Sequence, residues 1–401
     1  MTRRLMVYKV LLMNFVKSIS MMVQGLLALT FFSCSERSGD FSIYNNGHLL
    51  VSSFNVQKKT VDIDMPFKNR YTCKQLYSDS LLFGASTFRY PNTIDVLNLN
   101  DVGNSYQIKI DPNLIKGNFS SFFVHSLDSI FLTLPANKSV ALIDGGGNVM
   151  NYYSLDEPQF SEFNLMPFIQ SVPVTFKNKL IVNLRPIGLL EDGSFLADNQ
   201  FVAIDLTGGQ SIAFGKAESL AILLNEGEVN TDFYSPYFVV NEAEELVVSY
   251  PFSPFLEVFD INTFQLKKEI RLTSGIVEAM SAFANNDIHS DSFENASYRS
   301  SIAAFTDLNY HSEINGYSIL LMHPFESVDE NGKLKTWQSR RCSLLYLDSD
   351  FKMVKEFVFE NGDLLMNSIV ATKKGVIYAK FQESDEEDKL SYSYELNFDG
   401  L

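Results

Sequence analysis

The sequence has few of the residues from which catalytic and metal sites are usually built: three cysteines and five histidines among 401 residues. No histidine forms a nucleophile–base pattern with a serine or cysteine, and no Gly-x-Ser-x-Gly motif occurs. Zinc and calcium sites need ligands at recognisable spacing. The best candidate, residues 287–294 around His289, lacks that spacing. We therefore expect no metal and no cofactor, and a non-enzymatic protein is favoured over an enzyme.

Acidic residues are absent before Cys34, where the chain carries four basic residues and then the apolar run 25–32. A basic start, a short apolar stretch and a small residue before the cleavage point, here Ser33, are the parts of a secretory signal. As a helix, residues 19–32 would reach about 21 Å, short of the roughly 30 Å hydrocarbon core. A cleaved signal therefore fits better than a permanent transmembrane helix.

Cys34 follows this segment directly, and the chain turns polar at once. The segment resembles the lipobox of Gram-negative lipoproteins, in which the cysteine becomes the new N-terminus and carries acyl chains. Phe31 and Phe32 stand where smaller or aliphatic residues are usual. The resemblance implies a signal peptide at residues 1–33, lipid attachment at Cys34 and a short tether at 34–40. An ordinary signal peptide with a chance cysteine is the alternative.

Basic residues are in the minority, with 32 lysines and arginines against 48 aspartates and glutamates. Removing residues 1–33 takes away four basic residues and no acidic ones, so the net charge falls from −16 to −20. So acidic a surface argues against binding to a nucleic-acid backbone and against docking on anionic lipid. We expect no nucleic-acid partner, and contact with the membrane only through the N-terminal lipid.

Two cysteines remain once Cys34 is assigned to lipid. Cys73 and Cys342 could pair in an oxidising compartment. Because nothing in the sequence brings them together, two buried free thiols are the favoured interpretation.

What the chain does contain is a repeat of short apolar segments, together with 34 phenylalanines and 18 tyrosines, a composition typical of strands. Each unit has a strongly apolar second strand, then a loop, then a third strand near an aspartate. The predicted second strands are 48–52, 80–84, 129–133, 179–183, 245–249, 317–321 and 375–379. The predicted third strands are 61–64, 94–97, 140–144, 202–205, 256–260, 344–348 and 394–399. The predicted fourth strands are 106–110, 149–154, 210–214, 265–272 and 352–359.

Near-continuous apolar strands are typical of strands buried on both faces. Blades of a propeller meet this condition, because each blade packs between two neighbours. The sequence therefore predicts an all-β propeller at residues 41–401, with seven four-stranded blades. Six blades are the alternative if the weak first unit is something else. A helix is predicted at residues 216–226, and a long insertion near 274–301 interrupts the repeat.

As a pattern, the chain resembles uncharacterised β-propeller lipoproteins of Gram-negative bacteria. The resemblance covers residues 41–401 and rests on no catalytic motif. It implies a binding role at the cell envelope, with the protein anchored by lipid in the outer membrane.

In a propeller, the loops joining second to third strands share one face with the loops that join blades. Aromatic and arginine side chains in these loops, and in the insertion, are of the types that anchor partners. The predicted ligand-binding residues are Arg89, Tyr90, Lys138, Arg185, Tyr250, Phe252, Tyr298, Arg299 and His323. The alternative is that they cover the blade ends and pair with acidic residues.

Three functions follow from these observations. The leading hypothesis is a lipid-anchored envelope protein that binds a protein or glycan partner through this face. The second is an envelope hydrolase or lyase, which predicts two or three titratable groups with shifted pKa values in a central pocket. The third is a structural subunit of an envelope complex.

Overall fold

The structure is a computed structural model of the 401-residue chain. It describes residues 40–45, 48–53, 71–87, 91–165, 172–186, 199–216, 236–277, 303–325, 340–360, 364, 368–378 and 394–398, with the backbone alone for residues 40–53. These residues form 26 strands, a four-residue helix α1 (Pro112–Ile115) and three short 3₁₀ turns. The 3₁₀ turns are Val102–Asn104, Pro135–Asn137 and Pro158–Phe160.

The strands form six antiparallel sheets, which we call blades 1 to 6. The first two strands are β1 (Asp40–Asn45) and β2 (His48–Ser53). Blade 1 contains β3 (Cys73–Tyr77), β4 (Leu81–Ala85), β5 (Thr93–Asn98) and β6 (Tyr106–Lys109). Blade 2 contains β7 (Ser121–Ser126), β8 (Ser129–Leu134), β9 (Ser139–Ile143) and β10 (Val149–Ser154). Blade 3 contains β11 (Phe163–Leu165), β12 (Val174–Phe176), β13 (Lys179–Pro186), β14 (Asn199–Asp205) and β15 (Ile212–Lys216).

The second half of the chain follows the same plan. Blade 4 contains β16 (Tyr237–Val240), β17 (Glu245–Ser249), β18 (Phe255–Asp260) and β19 (Leu266–Arg271). Blade 5 contains β20 (Ala304–His311), β21 (Gly316–Met322), β22 (Cys342–Leu347) and β23 (Met353–Phe359). Blade 6 contains β24 (Val370–Ala371), β25 (Gly375–Tyr378) and β26 (Tyr394–Asn397).

The expected β-propeller is confirmed, and its blade number is six, the stated alternative to seven. The predicted first unit does not form a sheet of its own, because β1 pairs with β23 at the outer edge of blade 5, in the register Ile43 to Phe357, and β2 pairs with β1. Its predicted third strand, 61–64, lies outside the described residues, as does the predicted helix beyond residue 216. The other predicted second and third strands are confirmed as strands of the six blades.

Hydrophobic cores lie between neighbouring blades, as alternation along the second strands requires. In β8, Ile130 and Leu132 pack against blade 1, whereas Phe131, between them, packs against blade 3. In β17, Leu246 and Val248 face blade 3 and Val247 faces blade 5. Successive side chains of a strand point to opposite faces, so an unbroken apolar run is what a blade between two neighbours needs.

Polar contacts join each pair of neighbouring blades around the ring. They are Gln75 to Val124 for blades 1 and 2, His125 to Thr175 for 2 and 3, Lys177 to Glu244 for 3 and 4, Asn241 to Tyr317 for 4 and 5, His311 to Thr372 for 5 and 6, and Lys373 to Asp79 for 6 and 1. The ring therefore closes through side-chain contacts between the last blade and the first.

Cys73 and Cys342 are free thiols, as favoured from the sequence. Cys73 lies in blade 1 against blade 2, where its Sγ donates to the Phe122 carbonyl at 3.8 Å. Burial raises the pKa of this thiol to about 11. Cys342 is fully buried in blade 5. Both thiols are core groups.

Gly84 in β4 is required by a close approach of Tyr71. A Cβ at position 84 would lie 2.5 Å from the Tyr71 ring. The ring lies there because its hydroxyl donates to Oδ2 of the buried Asp95 at 2.9 Å. The other oxygen of Asp95 accepts from Gln107 at 2.7 Å. One missing side chain therefore lets a polar network assemble inside blade 1.

We expect Gly84→Ala to destabilise the protein by about 1–3 kcal/mol, because the added methyl displaces the Tyr71 ring and strains its bond to Asp95. Urea unfolding followed by circular dichroism measures the change. Gly103→Ala is the matched control, since its Cβ would meet its nearest neighbour at 3.4 Å. Equal stabilities for the two variants would contradict this account.

His311 joins blades 5 and 6 with a neutral ring. Its Nδ1 donates to the Thr372 carbonyl at 2.8 Å, so its Nε2 accepts from the Ser318 hydroxyl, also at 2.8 Å. Burial lowers the pKa of His311 from 6.5 to about 4, with the bond to Thr372 opposing the shift. The His311 ring therefore binds a proton more readily in the unfolded chain than in the folded protein.

The stability supplied by neutral His311 is complete above pH 6.5 and is lost as the pH falls toward 4, by roughly 3 kcal/mol in total. We expect His311→Asn, which keeps a donor for Thr372, to flatten the fall in unfolding free energy between pH 6.5 and 4. Urea titrations of both proteins across this range measure the difference. Parallel curves would show that His311 does not carry the pH dependence.

Candidate functional site

A cavity of about 410 Å³ lies where the innermost strands of all six blades meet. Strands β3, β16 and β20 supply most of its lining, and β7, β12 and β24 supply the rest. Its volume falls within the range of pockets that hold small ligands. The propeller axis is therefore the candidate functional site of the described residues.

Among the described residues that line the cavity, Lys74 is the cation. Its neighbours in β3, Cys73 and Gln75, turn toward blade 2, where Gln75 exchanges two hydrogen bonds with the backbone of Val124. Alternation along the strand turns Lys74 toward the opposite face of blade 1. Lys74 also lines the cavity. Burial lowers the pKa of its ammonium, while the negative charge of Asp307 raises it.

Asp307 is the anion of the cavity, and an irregularity in β20 places it there. The register with β21 shifts between Thr306 and Asn309. Asp307 and Leu308 therefore lie opposite the single residue Ile319 and form a bulge. Asp307 has a left-handed φ of 52°, and its carbonyl accepts from the Asn309 side chain at 2.6 Å. Leu308 turns into the core. Bulges of this kind redirect side chains and are frequent next to active sites.

Asp307 has a raised pKa, chiefly because of burial, with Lys74 and a hydrogen bond from Thr306 opposing the rise. Tyr237 of blade 4 also lines the cavity, and burial raises the pKa of its hydroxyl well above 10, with the Asp307 charge adding to the effect. Lys74, Asp307 and Tyr237 come from blades 1, 5 and 4. These three groups with shifted pKa values line one central pocket, together with Cys73 and Tyr310, whose pKa values are also raised.

The remaining lining is mostly aliphatic. Val172 and Val174 of blade 3, Val239 of blade 4 and Ala371 of blade 6 are partly exposed, and all four line the cavity. The cavity therefore offers aliphatic surface beside its charged groups, and Thr72 and Asn309 add polar side chains.

Five of the nine predicted ligand-binding residues lie within the described part of the chain. Lys138 ends the 3₁₀ turn of blade 2 with a left-handed φ of 46°, and its Nζ donates to the Ser161 carbonyl at 3.0 Å. Arg185 lies near the end of β13, paired with Asn164 of β11, and is partly exposed. These two remain at the predicted face.

Tyr250, Phe252 and His323 are buried, with exposed fractions of 0, 8 and 5%. Tyr250 belongs to the core between blades 3 and 4. The structure therefore gives these residues a packing role, and their part in binding stays a prediction. Arg89, Tyr90, Tyr298, Arg299 and Cys34 lie outside the described residues.

His323 is close to a serine without forming an accessible catalytic pair. Its Nε2 lies 2.6 Å from Oγ of Ser343, and its carbonyl accepts from the Arg340 guanidinium. Burial, together with the charges of Arg341 and Arg340, lowers the pKa of His323 to about 4. Ser343 is fully buried within β22, so no substrate reaches its hydroxyl.

Sequence reasoning did not select Lys74, Asp307 or Tyr237. The signal available was the charge of Lys74 and of Asp307 within the first strands of two units. The described residues contain no group of three or more potential ligands arranged around a metal. Within the same ranges, no helix is long and apolar enough to cross a membrane.

No known family model matches the sequence, and no curated protein does. Among solved structures, a member of the DUF4221 family from Bacteroides vulgatus is similar, with a TM-score of 0.69 at 12% identity, over 90% of this chain and 99% of that chain. A candidate exported protein from Bacteroides fragilis is also similar, with a TM-score of 0.50 at 12% identity, over 85% of this chain and 95% of that chain. At such identities the likeness shows the fold alone. It agrees with the expected resemblance to uncharacterised propellers, and the lipoprotein part of that expectation stays a prediction.

Proposed function

We propose that this protein is a lipid-anchored cell-envelope propeller that binds a small ligand at its axis. The central cavity carries the proposal, because it combines a ligand-sized volume with charged groups and aliphatic surface. Export is supported by the N-terminal signal pattern ending at Cys34 and by the likeness to a candidate exported protein. Binding of a protein or glycan at the face of Lys138 and Arg185 remains a second prediction for the same protein.

An envelope lyase or hydrolase is the alternative, and one observation favours it. Lys74, Asp307 and Tyr237 all have shifted pKa values around one cavity, as acid–base catalysis requires. The two functions differ in the fate of the ligand. A binding protein releases it intact, and an enzyme releases a changed molecule.

We expect the purified mature chain to retain one small molecule from a low-mass extract of the cell envelope, detected by native mass spectrometry. Ala371→Phe places a ring in the cavity, so occupancy falls at least about tenfold. Ala136→Phe is the matched control, because Ala136 is exposed in the 3₁₀ turn of blade 2 at the predicted loop face.

Loss of the ligand in Ala136→Phe alone would move the site to the loop face and contradict the axial proposal. Mass analysis of the released ligand against the input extract separates binding from catalysis.

We expect Cys34→Ala to abolish lipid attachment, because only the cysteine after the signal carries acyl chains in the proposed processing. Incorporation of labelled palmitate and sedimentation with membranes measure the effect in a Gram-negative host expressing the full chain. Cys73→Ala is the control, since Cys73 is a buried core thiol. Label retained in Cys34→Ala would rule out the lipid anchor.

A further inference from the structure

Lys74 and Asp307 differ from the other charged pairs of the propeller in where they lie. The ion pairs between neighbouring blades, such as Lys177 with Glu244 and Lys373 with Asp79, lie at exposed turns and join adjacent sheets. Lys74 and Asp307 belong to blades 1 and 5, which are separated by blade 6. Their attraction therefore acts between blades that are not neighbours in the ring.

The backbone at Asp307 is also irregular. Asp307 has a left-handed φ, which aspartate adopts more readily than most residues and which ten other described non-glycine residues share. The bulge interrupts the pairing of β20 with β21, and the enclosed position of the carboxylate raises its pKa. Bulges that redirect a side chain in this way are frequent next to functional sites.

The charges of the cavity define which ligands it accepts. A ligand that carries one charge supplies a charged partner for Lys74 or for Asp307 but not for both. A neutral hydroxyl ligand would offer hydrogen bonds weaker than the attraction between the two charges themselves. A molecule with both an ammonium and a carboxylate supplies a charged partner for each. The aliphatic wall of Val174, Val239 and Ala371 suits an apolar body.

We infer that the axial cavity binds a small aliphatic zwitterion, an amino acid or a di- or tripeptide, with its carboxylate on Lys74 and its ammonium on Asp307. The inference rests on the proposed axial binding function and adds the ligand class. Tyr237 lies beside Asp307 and donates its hydroxyl to the ligand. The side chains of the ligand pack against the aliphatic wall.

Calorimetry with valyl-leucine as the probe tests this inference. The expected result is one site on the wild-type chain. N-acetylation, which removes the ammonium, weakens binding about tenfold to a hundredfold, and C-terminal amidation, which removes the carboxylate, does the same. Methyl glucoside, a neutral hydroxyl-rich probe, is expected to bind less well than valyl-leucine.

Two isosteric variants assign each charge of the ligand to its partner. In Asp307→Asn the penalty for N-acetylation disappears, and in Lys74→Met the penalty for amidation disappears. Asparagine tolerates a left-handed φ, so the bulge is retained. Lys352→Met and Asp350→Asn are matched controls on an exposed pair in blade 5 and leave both penalties unchanged. If Asp307→Asn does not fold by circular dichroism, the amidation penalty in Lys74→Met decides alone.

The possible failures are distinguishable. Equal binding of valyl-leucine and its doubly capped form would overturn the inference that the ligand is a zwitterion, and so would capping penalties that persist in both variants. If binding is still lost in Ala371→Phe, the axial site itself is retained. Binding of methyl glucoside in preference to valyl-leucine, if it is lost in Ala371→Phe, would also overturn the zwitterion and retain the axial site. If neither the probes nor the envelope extract yields a ligand sensitive to Ala371→Phe, the axial function fails with the inference.

Discussion

The structure depends on burying both faces of every blade. A sheet whose second strand is apolar on both sides cannot remain exposed on either side, so it needs a neighbour on each. In β17 this requirement is visible residue by residue, since Leu246 faces blade 3 and Val247 faces blade 5. A ring satisfies it for all blades at once. The inner strands then meet at an axis that they do not fill, and the cavity follows from the packing of the blades.

Much of this fold was predictable because burial on both faces of a strand requires an unbroken run of apolar residues, which is visible in the sequence. Second strands such as 129–133 and 245–249 are short, apolar and bounded by turns, and they were found within a residue or two. The number of blades was harder to predict from the sequence than the strands themselves. Residues 48–52 have the pattern of a second strand, yet among the described strands β2 pairs only with β1, which extends blade 5. A strand pattern reports burial and does not report which sheet edge the strand joins.

The candidate site was less predictable than the fold. The loop face was chosen because aromatic and arginine side chains gather there, but Tyr250 and Phe252 are core residues. Lys74 and Asp307 are far apart in the chain and lie on strands whose polarity resembles that of any solvated strand. They meet only because a ring brings first strands together. The bulge that directs Asp307 inward has no signature in the local sequence, since it depends on its register with β21.

The bulge in β20 also makes the axial charge depend on the length of this strand. A strand one residue shorter at this point would pair without interruption and would need no left-handed residue. In such a strand the side chain at position 307 would follow the regular alternation of its neighbours. The direction of the axial carboxylate therefore depends on the number of residues between positions 306 and 309 as well as on the identity of residue 307.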